Sequence, residues 1–371
     1  MTKKLCYILP EASQTTHMKY NVEFITALAK EAGVDIYLIL ERGKIPENFK
    51  EETGVKHLGY TGNSFMPLRV VKMLYFLIDS HLKGFSKVYV HYSFIGAFLA
   101  SVLIPKREVY YWNCGLPWLY KRPFFQELYE SSVYKLIDHF VTGAKVLTQQ
   151  YADFYKFDNK KSIVIPNWID LVKVEGLIKH TDKEKLLAEL NIPERSNILF
   201  FNQRLATRKG AHYLPQILQA LVESEKRVIL IITNDGPYRE ELLKDLESKN
   251  LLEYVRVLGR VPNDKVIQLM SITDIYLLPS EEEGMSHSLM EAFAGGVASV
   301  AFNVGGTVDM YPIDFRKYVV HQKDILSFID RVSLLLENPF EKKELSLSLQ
   351  NKVKEYDKGI VLKEFVEKIF H

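Results

Sequence analysis

Apolar residues along the chain gather in short β-branched runs, separated by stretches in which they return every three or four positions. The runs "KLCYIL", "VDIYLIL", "KVYVHY", "REVYYW" and "HFVTG" come first, with helix-period segments such as "KYNVEFITALAKEAG" between them. This alternation predicts parallel strands covered by helices. The series ends near "SIVIPNWID". A charged stretch, "DKEKLLAELNIPERS", then leads into a second series: "NILFFNQ", "KRVILIIT", "YVRVLGR", "DIYLLPS" and "VASVAFN". The expected fold class is therefore α/β, two doubly wound, Rossmann-like domains facing across a cleft, with boundaries at 1–166 and 167–350 and a closing segment at 351–371. Sheets of this kind bind ligands beyond the carboxyl ends of their strands, so the residues just after each strand carry the functional reading.

Composition adds bounds. A chain of 371 residues, 47% hydrophobic and 25% charged, suits two cores rather than one. Two cysteines, Cys6 and Cys114, offer neither a disulfide framework nor a cysteine-rich zinc site. The first residues hold an apolar run too short for a signal-peptide core. Both features point to the cytoplasm. The uncharged segment "VYVHYSFIGAFLASVLIP" lies near the lower limit of a membrane span, but His91, Tyr92 and Ser93 interrupt it, and it is expected to be a buried strand followed by a buried helix. Residues 1–180 hold 23 Lys and Arg against 17 Asp and Glu, so the small net charge of +2 is unevenly spread. That asymmetry raises an anionic membrane surface as a partner. Nucleic acid is not expected, because no recognition motif or basic stripe accompanies the charge.

Two stretches of the second half carry chemistry. After "NILFFNQ" comes "RLATRKG", with Arg204 at the strand end and Lys209 and Gly210 at the expected start of a helix. Cations at a helix N-terminus form an anion site, since exposed N–H groups and the helix dipole favour negative charge. After "DIYLLPS" comes "EEEGMSHSLMEAFAGG", in which Gly284 allows close approach of backbone to a ligand and a helix is expected from Ser286 or Ser288. For Glu291 a purely structural reading exists: Ser288 and Glu291 have the S-x-x-E spacing of a capping box. Glu283 and Gly284 are left without such a reading.

The spacing of Glu283 and Glu291 reproduces the E-x7-E pattern of retaining glycosyltransferases, and the wider stretch resembles glycosyltransferase family 4, which has the GT-B fold. "RLATRKG", "NDGPYREEL", "VRVLGRVPNDKV" and "VIPNWID" are similar to further segments of that family, in family order. The resemblance implies catalysis by Arg204, Lys209 and Glu283, the two cations on the donor diphosphate and Glu283 on a hydroxyl of the transferred sugar. It implies donor binding by Glu291 at the ribose, by Gly284, Met285, Ser286, His287 and Ser288 along the helix start, and by Gly236 and Arg260, the latter beside the base. The donor would be a UDP- or GDP-linked sugar, with no further cofactor. No Asp-x-Asp triplet occurs in the chain, so no metal is expected, and transfer is expected to be metal-independent and retaining.

The resemblance thins out in the first 130 residues. Thr15 and Thr16 stand where the family commonly has a glycine pair, His17 follows them, and Asn113 stands where a histidine is usual. These four are the expected cleft residues of an N-terminal, acceptor-binding domain, while residues 351–371 resemble the helix that in this fold crosses back onto it. "MPLRVVKMLYFLIDSHLKG" and "GLPWLYKRPFF" mix basic with large apolar residues, as suits a lipid-linked or glycan acceptor and attachment to the inner membrane face. Two alternatives stay open: a transferase making a small soluble glycoside, and a silent subunit that binds sugar nucleotide.

Overall fold

The structure, a computed structural model, describes residues 3–11, 16–62 and 65–371, with residues 16–18 as backbone only. The chain folds as two compact units, Met1–Pro166 with Gly359–His371, and Asn167–Lys358. The first runs β1 (Lys4–Glu11), α1 (Thr16–Lys30), β2 (Asp35–Arg42), α2 (Phe49–Thr53), β3 (His57–Tyr60), α3 (Met66–Leu82), β4 (Lys87–His91), α4 (Phe94–Leu103), β5 (Glu108–Trp112), α5 (Phe124–Leu136), β6 (His139–Thr142), α6 (Lys145–Tyr155) and β7 (Ser162–Val164). The second continues with α7 (Leu171–Lys179), α8 (Lys183–Glu189), β8 (Asn197–Asn202), α9 (Leu214–Glu223), β9 (Val228–Thr233), α10 (Arg239–Ser248), β10 (Val255–Gly259), α11 (Asn263–Met270), β11 (Ile275–Leu278), α12 (His287–Ala294), β12 (Ala298–Phe302), α13 (Thr307–Met310), β13 (Val319–Val320), α14 (Ile325–Glu337) and α15 (Pro339–Lys352). A last helix, α16 (Lys358–Phe370), ends the chain.

The first sheet has the order β3-β2-β1-β4-β5-β6-β7 and the second β10-β9-β8-β11-β12-β13, and the strand pairs in both are parallel. Covering a parallel sheet on both faces removes any polar side, which is why β9, "VILIIT", is buried at every position. Strand order reverses between β1 and β4 in the first unit and between β8 and β11 in the second. At such a point the loops after neighbouring strands diverge and leave a crevice.

The uncharged segment resolves into β4 and α4, whose Gly96, Ala97, Leu99 and Ala100 are buried. Among the described residues no helix is long and apolar enough to cross a membrane. Helix α16 belongs to the first unit. Val361, Leu362, Phe365 and Ile369 form its buried face, Phe365 lies 5.3 Å from Phe24 and 4.9 Å from Tyr89 between ring centroids, and Tyr110 donates to the Ile369 carbonyl at 3.2 Å.

Candidate functional site

The loops after β8 and β11, at the reversal of the second sheet, are locked to each other by close backbone contact. Gly210 has φ +76°, and a Cβ there would lie 1.9 Å from the Pro279 carbonyl oxygen, so only glycine fits both the left-handed turn and the approach. The Glu281 amide donates to the Arg208 carbonyl at 3.0 Å beside it. On the other side Gly305, φ +50°, brings its backbone so close that a Cβ would meet the Glu283 carbonyl oxygen at 1.7 Å, and the Gly306 amide donates to the Gly284 carbonyl at 2.7 Å. The segment 281–286 is thus clamped from both sides.

One expectation about this region is corrected. The residues after β8 form two single 3-10 turns, Thr207–Lys209 and Ala211–Tyr213, joined at Gly210, and α9 begins only at Leu214. The left-handed glycine breaks the helix that the sequence pattern would have started at Lys209, so Lys209 acts through its own charge rather than through a helix end.

Lys209 Nζ donates to Glu283 Oε1 at 2.7 Å and to the Glu282 carbonyl at 2.8 Å. Both side chains are largely buried, at 15% and 8% exposure. The neighbouring carboxylates are paired as well, Glu282 with Arg208 at 3.5 Å and Glu281 with Lys323 at 3.3 Å. Glu281 also accepts from the Tyr213 hydroxyl at 2.7 Å, and His212 Nε2 lies 3.5 Å from it. Burial pushes the His212 imidazole below its ordinary value, with Glu281 opposing and Lys323 adding to the shift. The Tyr213 phenol is pushed up, first by burial and then by Glu281. Arg204 is exposed and makes no hydrogen bond or ion pair among the described residues, and the same holds for Arg260.

Helix α12 begins at His287, capped by Ser286, whose Oγ accepts from the Leu289 amide at 3.4 Å. The capping-box reading of Ser288 and Glu291 is thereby corrected. Ser288 lies inside the first turn, where it hydrogen-bonds Gln203 Nε2 and sits 3.0 Å from Ser286 Oγ. Glu291 is buried in the middle of the helix, and Asn263 Nδ2 donates to its Oε1 at 2.7 Å. Met285 is held from the chain at the start of the second unit: Asn167 Nδ2 donates to its carbonyl at 2.9 Å, and the Asn167 amide lies 3.4 Å from its sulfur. The positioning by Asn167, Gln203, Asn263 and Gly305 was missed in the sequence. Asn167, Gln203 and Asn263 lie within stretches quoted there, but nothing in their local sequence marks them as positioning residues.

Gly236 packs on the first loop, where a Cβ would fall 2.1 Å from the Leu205 carbonyl oxygen, and Tyr238 donates its amide to that oxygen at 3.0 Å. Arg260 follows β10, whose Gly259 carbonyl accepts from the Asn234 amide at 2.6 Å. The structure thus gathers Lys209, Glu283, Gly284, Met285, Ser286 and Ser288 into one clamped assembly, with Arg204 and Gly236 on the adjoining loops.

The first-unit residues fare differently. Thr15 lies outside the described residues, and Thr16 and His17 are described only as the backbone opening α1. Asn113 is buried with its amide saturated: Nδ2 donates to the Tyr134 and Tyr111 hydroxyls at 3.0 and 3.5 Å, and Oδ1 accepts from the Gly115 amide at 2.9 Å and the Tyr151 hydroxyl at 3.0 Å. An amide has two donors and two acceptor positions. Asn113 therefore has none left for a sugar hydroxyl, and its expected place in the cleft is corrected to a structural one. Among the described residues no cluster of three His, Cys, Asp or Glu side chains could hold a metal ion.

Comparison with known proteins bears on this geometry. Residues 182–358 match the family model "Glycosyl transferases group 1". A UDP-Gal:α-D-GlcNAc-diphosphoundecaprenol α-1,3-galactosyltransferase of Escherichia coli is 28% identical over 184 residues, 47% of this chain and 44% of that protein. The chain spans under half the length of the first curated relatives it matches. Two solved structures agree in fold over nearly the whole chain. A glycosyltransferase from Rickettsia africae has a TM-score of 0.80 at 16% identity, covering 99% of this chain and 98% of its own, and Anabaena HepE in complex with UDP has 0.79 at 15%, covering 99% of each. Residues 182–358, which hold the clamped loops, both glutamates and the two cations, are thus similar to group 1 glycosyl transferases, within a chain of GT-B fold.

Proposed function

We propose that this protein moves a sugar from a nucleoside diphosphate donor, UDP-linked by preference, to a lipid-linked saccharide or glycolipid, with retention at the anomeric carbon and without a metal. The observation that carries this is the clamped Lys209–Glu283 pair at the sheet reversal beside the uncommitted Arg204. Breaking the bond between anomeric carbon and phosphate oxygen leaves negative charge on the diphosphate and positive character on the sugar. An ammonium group has three N–H donors. Glu283 and the Glu282 carbonyl use two of those on Lys209, leaving one for a phosphate oxygen, while Arg204 brings a whole guanidinium. Glu283 accepts from a sugar hydroxyl, Glu291 from the ribose, and the departing phosphate takes the proton of the attacking acceptor hydroxyl. That HepE is solved with UDP and that the Escherichia coli relative is named for a UDP-linked donor supports the choice of base.

A lipid-linked acceptor is supported by the same relative's name, which specifies a diphosphoundecaprenol acceptor, and by α3. Leu68, Val71, Tyr75, Ile78 and Leu82 recur every three or four residues and are 44–79% exposed, while Met73 and Leu77 bury the opposite face. Phe124, Phe125 and Leu128 are exposed on α5. Apolar rows of this size on a water-soluble surface mark an interaction site, and a bilayer interface accepts them.

The deciding experiment offers UDP- and GDP-sugars to the protein and follows the melting temperature and transfer to undecaprenyl-diphosphate saccharides. Stabilisation by one UDP-sugar, transfer that survives a chelator, and a product with the donor's anomeric configuration are expected. An inverted product or loss of transfer in the chelator overturns the mechanism, and no response to any nucleotide sugar overturns the reading itself.

A further inference from the structure

A second polar site lies at the carboxyl ends of β2, β3 and β4 in the first unit. A small notch there, open to solvent on one side, is lined by Glu41, Thr61, Arg69, Val70, Met73 and Ile95, and its floor admits a group of about the size of one water molecule. Tyr92, with φ +59°, turns the chain after β4 so that Ser93 caps α4 through the Gly96 amide at 3.0 Å, and the Ser93 hydroxyl donates to Glu41 Oε1. The other carboxylate oxygen, Oε2, lies 3.6 Å from Arg69 NH2, too long for a hydrogen bond. Burial pushes the Glu41 carboxyl up, while Ser93, Arg69 and Arg42 pull it down. Arg69 Nε is buried with no partner. A buried donor left unmade is costly, and here the orphan belongs to a guanidinium on the wall of a notch, facing a carboxylate with capacity to spare.

We infer that this notch is an acceptor subsite that takes one hydroxyl or hydroxymethyl arm of a saccharide, which donates to Glu41 and accepts from Arg69. The inference rests on the transferase reading for the word acceptor. A hydroxyl is the group that donates and accepts at once, whereas a phosphate would be repelled by Glu41 and an ammonium by Arg69. Strand ends of a parallel sheet are where its ligands bind, and the notch has its own walls, Val70, Met73 and Ile95, to hold the carbon of such an arm.

The test measures binding of methyl glycosides of glucose, galactose and N-acetylglucosamine by saturation-transfer NMR, with UDP affinity measured in parallel. The proteins compared are the wild type, Arg69→Met, Glu41→Gln and Ile95→Trp, the last filling the notch without touching its polar groups. One glycoside is expected to bind the wild type and to lose at least tenfold affinity in each variant, with UDP affinity and melting temperature of Ile95→Trp unchanged. Equal glycoside affinity in all four proteins, no glycoside binding at all, or displacement of the glycoside by inorganic phosphate overturns the subsite and leaves a fixed water as its occupant. Failure of the transferase reading looks different, since glycosides would still bind the notch while no nucleotide sugar is consumed.

Discussion

Lys209 Nζ and Glu283 Oε1 are 2.7 Å apart, and both side chains are largely withdrawn from water. Removing one member of such a pair leaves the other charged, buried and unmatched, which costs more than the pair itself contributes. Lys209→Ala should destabilise the protein by about 1–3 kcal/mol and lower transfer by roughly tenfold to several hundredfold, as loss of one charge-assisted contact to the leaving phosphate would. Lys209→Met with Glu283→Gln should recover most of the stability and none of the activity. Urea unfolding and initial rates on the single and double variants check this, and recovery of activity in the double variant would contradict the assigned roles.

The backbone clamp makes a separate claim, because it involves no charge. Gly305→Ala places a Cβ where the Glu283 carbonyl oxygen stands, 1.7 Å away, at a left-handed φ that alanine resists. The segment carrying Glu283, Gly284 and Met285 must then shift. We expect donor affinity to fall by about tenfold or more, the equivalent of roughly 1.4 kcal/mol, with the fold retained by circular dichroism. Unchanged UDP-sugar affinity would show that the clamp does not shape the donor site.

Much of this arrangement was legible from residue order, and the rest was not, for physical reasons. Parallel strands buried on both faces announce themselves as unbroken β-branched runs, so β9 and β11 stand out, and the loops after them follow. The start of α9 was placed too early because glycine at 210 reads as compatible with a helix start until its φ of +76° is seen. Ser286 and Ser288 both make acceptable caps in one dimension, and only the Ser286 contact with the Leu289 amide decides between them. Asn113 looked available because two of its four partners, Tyr134 and Tyr151, come 21 and 38 residues later. Long-range saturation of this kind leaves no local trace.

His212 gives the loop assembly a dependence on acidity. Its imidazole is held below its ordinary value, chiefly by burial, so the folded protein binds that proton less readily than the unfolded chain does. The stability it contributes is complete above the unfolded value of about 6.5 and is lost as pH falls through the lower, folded value. Melting temperature recorded from pH 8 to pH 5 should therefore decline on the acid side, and the decline should be shallower in His212→Asn. Superimposable profiles would remove His212 from the account.

The exposed row on α3 also revises the balance of forces expected at a membrane. The sequence offered Arg69 and Arg122 as cations for anionic lipid, but Arg69 is turned toward Glu41 and Arg122 is paired with Glu130 and donates to the Tyr155 hydroxyl at 3.0 Å. Among the cations of these stretches Lys83 is paired with Asp79, while Lys121 is left exposed. Burying several large side chains at about 1.5–3 kcal/mol each then outweighs charges worth about 1 kcal/mol apiece near an anionic surface. Co-sedimentation with phosphatidylglycerol vesicles should accordingly persist in 0.5 M salt, a concentration of about that order screening charge within a few ångströms. It should be lost in Val71→Asp with Ile78→Asp, whose side chains leave the α3 core untouched. Binding that disappears with salt and survives the double substitution would assign the attachment to charge instead.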